Sequence, residues 1–419
     1  MSQIIILFLP FLISLINSDD SNKYFKAITD KDIFAKYYPK AKEILKKMTD
    51  EEKIGQLLFP RYNKSNVLNE IKKYHFGGYV LFAVDFENNT KETMLKEIEK
   101  FQQASKIRLG LSVDEEGGGV TRISKYKAYR NERFPSPKDL YTQGGINKIL
   151  EIEKEKIQLI KDVGLNINLA PVADFTTNTS GYIYNRTLGQ DLDNTTDYIE
   201  KVVIEANKNN FTTCLKHFPG YGNNIDTHED LAYDDRDLSE FQKVDFKPFN
   251  AGIKNNVPSI LISHNIITKV DNKYPSSISG NIHKILREDL NFSGLMLTDD
   301  ISMKAITKYS KNTSAATLAI LSGMDVVLTS NNSQNYEEVL KDFKTGVISK
   351  EIVDNAVIRV LAWKLFYLGD NIVNHKSNVL IIVLIIIGII VLGGIIGFIV
   401  FRKKNETITD KNVGLTSDF

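Results

Sequence analysis

Cysteine is almost absent: Cys214 is the single thiol in 419 residues. One thiol forms no internal disulfide, so packing alone must hold the fold, even in an oxidising compartment. No charge of one sign dominates either. Fifty-three Lys and Arg against 52 Asp and Glu leave a formal net charge of +1, without the basic stripe that a nucleic-acid partner requires. The one Gly-rich stretch that could cradle a phosphate, Gly117-Gly118-Gly119, lacks G-x-G-x-x-G spacing, which argues against a dinucleotide cofactor. His-x-His, the usual sign of a barrel metallohydrolase, is missing, and the candidate histidines have no tight ligand spacing. No metal and no cofactor are expected.

Two apolar runs stand outside the globular part. Residues 4–15 are followed by Asp19-Asp20; the run has the length of a signal-peptide core and is too short to span a bilayer. No Lys or Arg precedes it. Residues 379–401 form an uninterrupted apolar stretch long enough to cross a membrane, and Arg402-Lys403-Lys404 follows at once. The sequence thus predicts a signal peptide (1–18), a soluble domain (19–370), one transmembrane helix (379–401) and a cytoplasmic tail (402–419). The expected topology is single-pass type I, with the large domain extracellular or lumenal, at the cell surface or in the endolysosomal system. Nine Asn-x-Ser/Thr sequons within residues 19–370, Asn185 among them, agree with that side. A monomer is expected.

Between the ends, short apolar runs alternate with amphipathic stretches. Strands are expected at 57–60, 78–84, 109–114, 167–171, 213–217, 259–264, 295–299 and 325–329. Helices are expected at 91–105, 146–163, 197–208, 238–255, 305–322 and 336–345, and Thr49-Asp50-Glu51-Glu52 reads as a capping box. Eight strands alternating with helices fit an α/β fold of the (β/α)8, TIM-like barrel type better than a doubly wound sheet.

Active sites of barrels gather at strand C-terminal ends. Here those ends carry Asp114-Glu115-Glu116, Asp174, Lys216-His217, His264 and Asp299-Asp300. They describe a polar pocket with little apolar lining, suited to a small hydroxyl-rich ligand. A carboxylate such as Asp299 can attack an anomeric carbon, although Asp is also a preferred helix N-cap. Asp226 and His228 lie two apart in the Gly-rich loop after Lys216-His217. A carboxylate beside an imidazole makes a general acid/base near neutral pH.

Taken together, Asp114-Glu115-Glu116-Gly117-Gly118, Ala170-Pro171-Val172-Ala173-Asp174, Lys216-His217-Phe218-Pro219-Gly220, Asp226-Thr227-His228 and Thr298-Asp299-Asp300-Ile301-Ser302-Met303 resemble glycoside hydrolase family 3. More narrowly they resemble its β-N-acetylhexosaminidase branch. The resemblance implies that Asp299 is the nucleophile and His228, held by Asp226, the acid/base. It implies that Asp114, Arg186, Lys216 and His217 bind the terminal sugar. The implied activity is retaining exo-hydrolysis of β-linked N-acetylglucosamine from peptidoglycan, chitin fragments or other glycans. Alternatives are a β-glucosidase, a phosphorylase and an inactive glycan-binding receptor. Three departures from the family pattern fall at Gly119, where a cation is common, at Tyr221, and in a loop to Asp226 that is one residue short.

Overall fold

The computed structural model describes residues 24–224, 232–303, 306, 308–309, 313–374, 393, 394 and 396. All eight expected strands are present: β1 Leu58–Pro60, β2 Gly78–Leu81, β3 Gly110–Val113, β4 Ile167–Asn168, β5 Thr212–Phe218, β6 Ser259–Ile262, β7 Leu295–Thr298 and β8 Val327–Thr329. Five of them, β2, β3, β4, β6 and β7, end before the apolar runs that announce them, because the last residues of those runs already turn towards the loops. After β2, for example, Ala83–Phe86 forms one helical turn, fixed by the Asp85 carboxylate accepting from the Phe82 N–H at 2.7 Å.

Every pairing among these strands is parallel. Six of them, β2 to β7 in chain order, form one sheet, while β1 and β8 pair with each other. The expected continuous eight-stranded barrel is therefore a parallel α/β sheet of six strands beside a pair. Among the described residues a single parallel bridge marks each of the two seams, Arg61 to Val80 and Leu297 to Val326. A further small pair, Tyr233–Asp234 with Ile266–Ile267, lies outside this sheet.

The helices follow local chemistry. Asp50–Gln56 opens with the expected capping box, Thr49 and Glu52 each bonding the other's backbone. The helix Pro137–Asp162 begins earlier than expected, with Pro137 in its first turn and Ser136 as cap, and it breaks at Gly144 and Gly145. The expected helix 238–255 is two helices, Leu238–Lys243 and Phe246–Lys254. Pro248 accounts for the split: it is tolerated only in a first turn, where its missing N–H costs nothing. The helix Lys350–Leu368 is buried on nearly all sides, so it carries no amphipathic signal and was not anticipated.

That helix seals the end of the sheet opposite the polar strand ends. Trp363 donates to the Thr212 hydroxyl at 3.0 Å, and its ring reaches so close to Gly110 that a Cβ there would lie 2.9 Å from it. The Lys364 amine is fully buried and bonded to the Gln56 side chain (2.6 Å) and the Gly77 carbonyl (2.7 Å), and burial holds its pKa well below the usual lysine range. Nearby, Asp325 binds Arg287 at 2.5 Å and Arg359 at 3.1 Å and also accepts from the Met296 N–H. Each of these groups ties a helix to a strand start, which leaves the opposite end open for chemistry.

The chain divides into a unit of residues 1–374 and one of 375–419. Residues 1–18 of the expected signal peptide, the tail 402–419, and all but Gly393, Gly394 and Ile396 of the expected span lie outside the described residues. Among the described residues no helix is long and apolar enough to cross a membrane.

Candidate active site

The turn after β3 is built around a buried carboxylate. Glu115 accepts from the backbone N–H groups of Arg122 (2.8 Å) and Ile123 (2.7 Å) and from the Ser124 hydroxyl, drawing residues 115–124 into a closed loop. Asn168 of β4 clamps the Glu115 backbone, accepting from its N–H and donating to its carbonyl. Gly117 sits at φ 108°, and a Cβ there would come within 2.3 Å of the Pro135 carbonyl oxygen, so this tight passage needs glycine. Gly119 has no such constraint, since nothing lies within 4 Å of a Cβ built on it. Three residues on, the Arg122 guanidinium stands 3.6 Å from Asp114.

The same loop turns Asp114 and Glu116 toward Lys216, which ends in an ammonium only 2.7 Å from Asp114 and 2.6 Å from Glu116. Arg186, from the short turn Tyr184–Arg186, forks onto Glu116 with Nε at 2.9 Å and Nη2 at 2.7 Å. Burial alone would drive the Glu116 carboxyl upward, but Arg186 and Lys216 outweigh it and hold the carboxyl well below the usual range. Burial likewise opposes the charge on Lys216, and Asp114 and Glu116 overcome it, raising its pKa.

His217 continues the chain of contacts. Its Nδ1 lies 2.7 Å from the buried Asp174 carboxylate, and its Nε2 lies 3.3 Å from Arg186 Nη2. Asp174 can only accept and Arg186 can only donate, so the ring carries its proton on Nδ1. Asp174 also accepts from the backbone N–H groups of His217 (3.0 Å) and Tyr221 (2.7 Å). Asp174 thus lies behind His217 as its support and does not line the cavity. Tyr221, the departure from the family pattern, is buried with its ring 5.3 Å from the imidazole.

Asp299 follows β7, its N–H donating to the Ile262 carbonyl at 3.0 Å and its carboxylate accepting from the Asp300 N–H at 2.8 Å. Asp300 binds the Ser302 and Ser330 backbones and the Ser330 hydroxyl, tying the β7 turn to the end of β8. His264 is a correction to the sequence reading. It is fully buried and lies outside the cavity, with one nitrogen on the Ser277 hydroxyl (2.7 Å) and the other on the Asp300 carbonyl (3.0 Å). Asp226 and His228 fall in 225–231, outside the described residues.

Asp114, Arg186, Lys216, His217 and Asp299 all line one cavity of about 340 Å³. The expected scarcity of apolar lining is not found: Val80, Phe82, Leu169, Leu261, Met303 and Leu328 contribute to its walls. Charged donors and acceptors at one end and apolar walls beside them fit a pyranose, whose hydroxyls ring an apolar face. Glu116 and Arg122 went unassigned in the sequence. Glu116 had a signal, its spacing of two from Asp114; Arg122 had none, because only the loop closure by Glu115 brings it back.

The Glu116 carboxylate gives a pH prediction. Its folded pKa lies below the ordinary 4.5, so its contribution to stability is complete above pH 4.5 and is lost as pH falls towards the folded value. Glu116→Gln leaves Arg186 underpaired and should cost about 3 kcal/mol at pH 7. The gap to the wild type should narrow below pH 4.5 in urea titrations; a gap independent of pH would contradict the assignment.

Comparison with known proteins agrees with this geometry. Residues 49–363 match the family model described as the glycosyl hydrolase family 3 N terminal domain. A beta-hexosaminidase of Methylobacillus flagellatus is 26% identical over 288 residues, covering 66% of this chain and 79% of that protein. Among solved structures, a family 3 beta-N-acetylglucosaminidase from Paenibacillus superposes with a TM-score of 0.72 at 24% identity, covering 79% of this chain and 65% of that longer one. A beta-N-acetylhexosaminidase from Beutenbergia cavernae does so with a TM-score of 0.68 at 23% identity, over 76% of this chain and 98% of that one. With a family model spanning most of its length on top of this shared fold, the chain belongs to glycosyl hydrolase family 3.

Proposed function

We propose that this protein is a retaining exo-glycosidase that releases terminal β-linked N-acetylglucosamine, working on a (β/α)8-type scaffold. The observation that carries this reading is the convergence of the Asp299 carboxylate and the Asp114–Lys216–Glu116–Arg186 network on one cavity. The network grips the hydroxyls of the terminal sugar and Asp299 attacks its anomeric carbon. The C1–O bond breaks as His228, oriented by Asp226, gives a proton to the departing oxygen. The resulting glycosyl ester on Asp299 is then cleaved by a water that passes its proton to His228, regenerating both groups. No metal or cofactor enters these steps. The names of its relatives, beta-hexosaminidase and beta-N-acetylglucosaminidase, support the choice of sugar.

The reading extends to a membrane-tethered protein: signal peptide 1–18, span 379–401, and the catalytic domain on the extracellular or lumenal side. Its support is the hydropathy of residues 379–401 and the basic cluster Arg402-Lys403-Lys404. Alkaline carbonate extraction should leave the full chain in the membrane pellet and release a chain ending at Asp370. Release of both would refute the span.

Replacing the nucleophile tests the chemistry. Asp299→Ala should lower release of p-nitrophenol from its β-N-acetylglucosaminide by at least about 10⁴-fold, on the scale of lost covalent catalysis; normal turnover would sink the assignment. His228→Ala should harm poor leaving groups far more than good ones, since only the former need protonation. Equal losses across a leaving-group series would remove His228 from the acid role.

A further inference from the structure

Arg61 follows β1 directly, and its backbone is fixed from several directions. Its N–H donates to the Thr329 carbonyl of β8 at 2.7 Å, it bridges Val80 of β2, and its carbonyl accepts from the Asn332 side chain at 3.1 Å. Its side chain is exposed, lines the cavity and sets its guanidinium over the Phe82 ring, 4.6 Å from the centroid. An exposed arginine against an aromatic ring needs no functional explanation by itself.

The charge balance of the cavity wall sets this one apart. Arg122 stands beside Asp114, Lys216 between Asp114 and Glu116, and Arg186 on Glu116. Asp300 is engaged by Ser302 and Ser330. Arg61 lines the same wall, yet among the described residues its side chain has no ion pair and no hydrogen bond. Asp85, the acid that feels its charge, does not pair with it: burial raises the Asp85 carboxyl, and the Phe82 N–H and Arg61 only temper that rise.

Stacking fixes the position of the guanidinium but leaves its in-plane N–H groups able to donate, and their fork matches two oxygens of an oxyanion. There is room for one, since Arg61 and Ser330 also line a neighbouring recess of about 460 Å³. The charges of that recess limit what it takes. Its walls include Lys64, which is paired with Glu97, and the carboxyl groups of Glu70 and Asp85. One unpaired cation beside two acids suits a monoanion such as a sulfate ester better than a dianionic phosphate.

The contacts of Arg61 also indicate which part of a substrate it meets. The Phe82 ring has the Arg122 guanidinium 5.6 Å from its centroid as well, and Arg122 stands 3.6 Å from Asp114. Arg61 thus adjoins the end of the cavity that, on the proposed reading, grips the terminal sugar. The ring hydroxyls are taken there by the Asp114–Lys216–Glu116–Arg186 network, so a group that reaches Arg61 must project beyond them. On a pyranose the exocyclic 6-oxygen projects furthest.

We propose that Arg61 forms an anion subsite that accepts a sulfate ester on the 6-oxygen of the terminal N-acetylglucosamine. This rests on the exo-glycosidase reading above. The test compares kcat/KM of the full chain on p-nitrophenyl 6-O-sulfo-β-N-acetylglucosaminide and on its unsulfated counterpart. The ratio of sulfated to unsulfated substrate should fall about tenfold to hundredfold in Arg61→Ala and in Arg61→Gln, the scale of a lost charge-assisted hydrogen bond. Arg61→Lys, which keeps the charge without the fork, should lose less. Taking the ratio within each variant cancels any loss of folded protein. With the anion moved to the leaving group, as a carboxylate on the nitrophenyl ring, the corresponding ratio should be the same in the variants as in the wild type. A ratio on the sulfated sugar that changes less than about threefold in both the alanine and glutamine variants overturns the proposal. So does failure of the wild type to turn over the sulfated sugar, or an equal fall with the charge on the leaving ring. Wild-type release of p-nitrophenol from the unsulfated substrate is the control: without it the parent reading fails, and with it only the subsite is at issue.

Discussion

The ammonium group of Lys216 is buried between two carboxylates, Asp114 and Glu116, with only 3% of its side chain exposed. An ammonium taken out of water costs several kcal/mol unless it is paired and hydrogen-bonded, so the positions of both acids are dictated by the lysine. Glu116 is satisfied by the Arg186 fork, Arg186 by the His217 ring, and His217 by Asp174. The loops after β3 and β4 and the last residues of β5 itself contribute to this chain of contacts, and parallel pairing in register is what brings these ends level. Once assembled, the network offers donors and acceptors already aimed into the cavity. On the proposed reading a sugar meets dipoles that need no reorganisation, which is how such sites favour a transition state.

The two ends of the sheet divide the work. At the closed end, buried charges are spent on holding helices to strands: Asp325 between two arginines, Lys364 between an amide and a carbonyl. At the open end the buried charges face a cavity. The difference does not lie in the residue types, which are nearly the same, but in what covers them. The helix Lys350–Leu368 covers the closed end, while the loop folded by Glu115 leaves the open end accessible.

The alternation of apolar runs made all eight strands legible, and the family motifs marked five residues that share one cavity: Asp114, Arg186, Lys216, His217 and Asp299. What stayed hidden depended on contacts distant in sequence. His264 and His217 look alike on paper, each at the end of an apolar run; only packing shows that His264 turns to Ser277 and Asp300 instead of the cavity. Asp174 reads as a pocket carboxylate yet is spent on the histidine in front of it. Arg122 gave no sign, because its return to Asp114 is set by a loop whose closing bonds go to backbone N–H groups. The ring of strands was read too regularly: β1 and β8 pair with each other, and among the described residues a single bridge joins each side of that pair to the six-stranded sheet.

The central claim is that Asp299 becomes covalently attached to the sugar. The direct test is to incubate the full chain with a fluorinated N-acetylglucosaminyl donor that forms the glycosyl-enzyme quickly and hydrolyses slowly, then to map the adduct by peptide mass spectrometry. One sugar on the peptide carrying Asp299, absent in Asp299→Ala, is the predicted result. Attachment to Asp300 or Glu116, or steady hydrolysis with inversion at the anomeric carbon and no adduct, would contradict it.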